Sequence, residues 1–116
     1  MTEYQIDAWK KEIYNSLAAI ADLEGQKLQW VGSTLSGNKI LNRLFDLEFE
    51  TFISYLIENE EGSRELLSNM IRMERVLHEY VKANLSDDKL LADPNWHLIT
   101  QKATEILMLW DRDMEE

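Results

Sequence analysis

One proline and four glycines are all that interrupt 116 residues, and this scarcity constrains the chain more than any motif in it. Helix interiors reject proline and disfavour glycine, so almost every stretch of this chain is free to be helical. No alternating run of apolar and polar residues reads as a strand, and no Asn-Gly pair marks a hairpin. Hydrophobic residues make up 45% of the chain, enough to bury a core and to argue against disorder. The expected fold is all-α: one domain over residues 1–116, a compact bundle of about four to six helices.

The helices can be placed by apolar phase. With Trp9 at zero on a helical wheel, Ile6, Ile13, Leu17 and Ile20 fall within about 60° of each other. Leu28 and Val31 keep the phase past Gly25. The pattern predicts a first helix from about Gln5 to Val31, weakened at Gly25 by ~1 kcal/mol and ended by Gly32. Residues 32–38 read as a loop and 39–45 as a short helix. Asp46 is the expected N-cap of the next helix, whose core stripe is Phe49, Phe52, Ile53, Leu56 and Ile57. Ser63 is expected to cap a long helix reaching about Ala83, with Leu66, Leu67, Met70, Met73, Leu77, Tyr80 and Val81 inward. Residues 84–93 hold at most one short turn. Asp93 followed by Pro94 is the strongest start signal. After it, Trp96, Ile99, Ala103, Ile106, Leu107 and Trp110 share an arc of about 100°. Trp9, Trp96 and Trp110 are expected in the core, and His97 is expected as a surface residue of no special role. Leu98 and Leu109 oppose the main stripe of this helix; they either pack under the segment LSDDKLL (85–91), the commoner case, or form a small exposed patch.

Charge narrows the function. The net charge is −10 and the sequence pI about 4.6, which argues against direct contact with nucleic acid or an anionic membrane and favours basic partners. The chain has no cysteine, which removes disulfides, thiolate metal sites and cysteine nucleophiles. The N-terminus lacks the pattern of a signal peptide, and no stretch approaches the ~20 apolar residues of a membrane span. These features point to a soluble cytoplasmic domain. Phosphate-binding glycine loops, Gly-x-Ser-x-Gly and His-Glu-x-x-His are absent. Arg64, Arg72, Arg75 and Lys82 share an outer face with Glu65 and Glu79, a mixed and solvated surface.

Two groups of residues stand out. The stretch LFDLEFETFISYLIENEEG (44–62) holds six carboxylates and no Lys or Arg. Glu50, Ser54 and Glu58 stack on one flank of its helix. Glu48 lies on the other flank beside Tyr55, which points away from the Phe stripe. Glu60 and Glu61 follow. A solvated face is the ordinary reading. The missing bases and the misplaced Tyr favour a contact surface for a basic partner, made of Asp46, Glu48, Glu50, Tyr55, Glu58, Glu60 and Glu61. Trp30, at the rim of the first helix, is a further candidate contact. The second group is Glu74 with His78, one turn apart inside an apolar arc. It reads first as a structural polar pair. A partner contact comes second, and catalysis or metal binding last, because the Glu-x-x-x-His spacing occurs once and differs from the paired Glu-x-x-His motifs of di-iron bundles. No cofactor, metal or catalytic residue is expected.

WKKEIYNSLAAIADLEGQKLQWVG (9–32), followed by LFDLEFETFI (44–53), resembles small helical immunity proteins of bacterial contact-dependent growth inhibition and related polymorphic toxin systems. The resemblance lies in the order of parts: a Trp-Lys-x-Glu helix, an Asp-Leu-Glu-x-Gln turn leading to Trp-x-Gly, then Leu-Phe-Asp before a Phe-x-x-Phe helix. Gly25 departs from that pattern, where a larger residue is expected. The resemblance implies a protein that binds and blocks a cognate toxin C-terminal domain, often a basic nuclease, and catalyses nothing itself. An acidic face would steer such a partner into encounter and cover its active site. Two other readings stand beside it: an acidic nucleic-acid mimic that uses the same acidic face to inhibit a DNA- or RNA-binding enzyme, and an enzyme built on Glu74 and His78.

Overall fold

Thr2 opens the first helix with a reciprocal cap: its hydroxyl accepts from the Gln5 N–H while the Gln5 side chain accepts from the Thr2 N–H. The computed structural model describes residues 2–29, 37–83 and 85–114. Among these residues there are seven helices and no strand: α1 (Glu3–Ala21), α2 (Leu23–Gln29), α3 (Gly37–Asp46), α4 (Phe49–Glu58), α5 (Arg64–Ala83), α6 (Asp87–Ala92) and α7 (Pro94–Met114). The all-α expectation holds, but the helix count exceeds four to six. None of these helices is long and apolar enough to cross a membrane.

The extra helices arise from two local events. α1 stops at Ala21 instead of continuing to Val31, because Asp22 leaves helical geometry and its carboxylate accepts the Gly25 N–H at 3.0 Å. One residue thus ends α1 and caps the start of α2. A Cβ at Gly25 would lie 2.1 Å from that carboxylate, so a side chain there would displace the cap. Leu28, in phase with the α1 stripe, is consequently 81% exposed. The second event is α6, where Asp87–Ala92 form a six-residue helix because Leu90 is drawn into the core.

Other boundaries follow the sequence. Ser63 accepts the Leu66 N–H at 3.1 Å and starts α5, and Asp93 accepts the Asn95 N–H at 2.9 Å beside Pro94. α3 begins at Gly37, two residues earlier than predicted. The predicted end of the first helix and most of the loop after it lie outside the described residues.

α1 and α5 both pack along α7, α3 lies on α1, and α4 lies on α5. One continuous core joins Ile13 and Leu17 of α1, Leu44 of α3, Phe49 and Phe52 of α4, Met70 of α5, Leu90 of α6 and Trp96 of α7. Phe52 stacks on Trp110, with centroids 5.6 Å apart. Trp9 is only half-buried; its indole N–H donates to the Leu47 carbonyl at 2.7 Å and ties α1 to the α3–α4 link. His97 has a structural role after all, since its Nε2 lies 2.6 Å from the Leu91 carbonyl and joins α7 to α6. Leu98 is 57% exposed rather than packed, while Leu109 rests against the core.

Candidate functional site: the acidic edge of α4 and the cleft beside it

α4 is bracketed by two residues in the left-handed region, neither of them glycine. Glu48, at φ 58 and ψ 56, precedes the helix, and Glu60, at φ 54, follows it. Asp46 is therefore not the N-cap. It is the last residue of α3, and the position before α4 is Glu48, whose side chain makes no capping bond. The far end is a Schellman turn: the Glu60 N–H donates to Ile57 O at 3.2 Å and the Glu61 N–H to Leu56 O at 2.9 Å. Glycine normally takes that left-handed position; here glutamate does, and glycine comes two residues later at Gly62.

The acidic row divides. Asp46, Glu48, Glu50, Glu58 and Glu60 are exposed and carry no ion pair among the described residues. Glu61 is different. Lys10 of α1 reaches it at 2.6 Å, so a base does relieve the row from outside its own segment. Burial pushes the Glu61 carboxyl up, but hydrogen bonds from Lys10 and Tyr55 more than reverse this and hold it below the usual range. Tyr55 does not stand free on the charged side. It is half-buried, its ring 5.9 Å from Trp9 and 6.4 Å from Phe52. Burial, followed by hydrogen bonding and charge from Glu61, raises its phenol pKa. Tyr55 and Glu61 thus belong to a structural cluster with Lys10. Trp30 lies outside the described residues.

Ile57, expected in the core, is 51% exposed. At 40° of drift per four residues, the Phe49–Ile53 row has turned toward Glu50 and Ser54 by Ile57. An apolar side chain therefore sits among the free carboxylates; the signal was its place at the margin of the stripe.

Glu74 and His78 are separated in burial. Glu74 is 8% exposed, while the His78 side chain is half exposed and its ring lies 4.5 Å from Phe45. They line a cleft of about 400 Å³ walled by α3, α4 and α5 rather than being sealed in the core. Glu50, placed on the acidic row by its sequence, also lines this cleft and completes a three-residue cluster with them. Sequence spacing could not show this, because Glu50 comes from a different helix.

Compared with protein-family models, curated proteins and solved structures, the chain matches none.

Proposed function

We propose that this chain is a non-catalytic binding module whose α4 edge engages a basic protein surface, as an immunity protein engages its toxin domain. The observation that carries the reading is the pair of left-handed glutamates. A non-glycine residue in that conformation costs roughly 1–2 kcal/mol, and Glu48 and Glu60 are exposed and unpaired among the described residues. Their backbones end α3 and close the Schellman turn of α4, but glycine would do that without strain; the glutamate side chains add nothing to the fold, and strain kept at a surface is a mark of function. Glu58 and Glu60 also crowd the negative end of the α4 dipole. Ile57 supplies an apolar centre and the carboxylates a charged rim, the arrangement of a desolvated anchor within a steering field. A basic nuclease domain of a toxin is the partner this charge fits.

The reading predicts a toxin domain encoded beside this gene, and the test uses that domain. Co-expression should rescue growth, and the complex should weaken as salt is added. Replacing Glu48, Glu58 and Glu60 by Lys together should abolish rescue while leaving the circular dichroism spectrum helical. Glu60→Gly should raise stability by about 1 kcal/mol and weaken the complex. Rescue that survives the triple Lys substitution and is indifferent to salt would defeat the proposal. Inhibition of several unrelated nucleic-acid-binding enzymes would instead mark a nucleic-acid mimic.

A further inference from the structure

We propose that Glu50, Glu74 and His78 form a binding site for a divalent first-row transition-metal ion, taking Zn²⁺ in preference to Mn²⁺. One donor atom from each lies within 4.8 Å of the others. Glu74 and His78 are four residues apart on α5 and so share a face; Glu50 faces them from α4. The donors stand on two packed helices, a rigid mounting.

The independent sign is the state of Glu74. Glu74 is buried, with 8% of the residue and 11% of its side chain exposed, and its Oε1 is a buried atom with no hydrogen-bond partner. His78 Nε2 comes within 2.5 Å of that oxygen, but the contact lacks the alignment of a hydrogen bond. Buried carboxylates are ordinarily paired or bound to metal. The cleft wall adds Glu48 to Glu50 and Glu74 and contains no Lys or Arg. Its potential is therefore negative, and the charge it lacks is a cation.

The donor set selects the kind of ion. Two carboxylates and an imidazole suit Zn²⁺, Fe²⁺, Co²⁺ or Mn²⁺ better than Mg²⁺ or Ca²⁺, which prefer oxygen alone. Among those, affinity rises from Mn²⁺ toward Zn²⁺. Donors about 2.0–2.1 Å from a tetrahedral ion stand roughly 3.3 Å apart, so His78 and Glu74 must separate by less than ~1 Å on binding. The half-exposed His78 ring, tilted against Phe45 on one side, has room to make that shift. Three protein donors leave a fourth position open to the cleft, as in metal sites that accept an outside ligand.

Titration calorimetry on the chelator-treated full chain tests this with ZnCl₂, MnCl₂ and MgCl₂. One equivalent of Zn²⁺ should bind, Mn²⁺ more weakly, and Mg²⁺ not measurably. His78→Gln and Glu74→Gln should weaken Zn²⁺ by at least the roughly 10–100-fold that follows loss of an outer-shell partner. Glu50→Gln, at an exposed position that spares the core, should weaken it as well, and Glu58→Gln should not. Visible absorption of the Co²⁺ form should lose its band in His78→Gln. The absence of saturable Zn²⁺ binding, or binding unmoved by Glu50→Gln and His78→Gln, would overturn the site. No toxin domain enters these measurements, so their failure is distinct from failure of the binding-module reading.

Discussion

Gln26 and Glu74 are both almost wholly buried polar side chains, at 3% and 8% exposure, and they are treated in opposite ways. Gln26 leaves nothing unsatisfied. Its amide donates to the Ala19 and Ile20 carbonyls, both at 2.9 Å, and its oxygen accepts the Trp96 indole N–H at 2.9 Å. It closes the end of α1 and docks α2 and α7 in one stroke. Glu74 sits among Phe49, Val81 and His78 with one oxygen unserved. Similar burial therefore does not mean similar purpose. The first residue is kept for the fold, while the second burdens the fold and is explained by something that comes from outside.

The sharpest way to break this comparison is to make both sites apolar. Gln26→Leu strands three polar partners and should lower unfolding free energy by about 3 kcal/mol in urea. Glu74→Met removes a buried carboxylate whose Oε1 lacks a hydrogen bond and whose ion-pair partner His78 is half exposed, in a similar volume; it should leave stability unchanged or raise it by about 1 kcal/mol. Equal losses from the two variants would mean that Glu74 is structural. A smaller effect sharpens the contrast on the satisfied side. Tyr80 packs edge-on against Trp96 and donates to Asp93 at 2.9 Å. Burial, with Asp93 adding to it, raises the Tyr80 phenol from 10.0 to about 12. The neutral phenol is the form the fold favours, so its contribution is complete below pH 10 and fades as pH rises toward 12. Tyr80→Phe should cost about 1 kcal/mol at neutral pH and flatten that alkaline decline, as read from denaturation midpoints between pH 8 and 12.

The unevenness of this sequence has a physical basis. Stripes of α4, α5 and α7 were legible because burial of Phe52, Met70 and Trp96 is written in local period. Starts at Ser63 and Pro94 were legible because a cap acts within one turn. The break at Asp22 was hidden, since Leu28 kept the α1 phase while facing water. Glu48 and Glu60 are legible as acidic residues, but a left-handed backbone on glutamate leaves no mark in residue type. Tyr55 was misplaced because Trp9, on another helix, covers it. The meeting of Glu50 with Glu74 and His78 is tertiary and has no local signature at all.

Only Leu47 and Glu48 separate α3 from α4, and the Trp9 indole holds the Leu47 carbonyl. An inserted residue at that link would rotate α4 by about 100°, swinging Phe49 and Phe52 into water and carrying Glu50 off the face of α5. Relatives of this chain should therefore keep the number of residues at this link unchanged, and engineered loops or tags belong elsewhere.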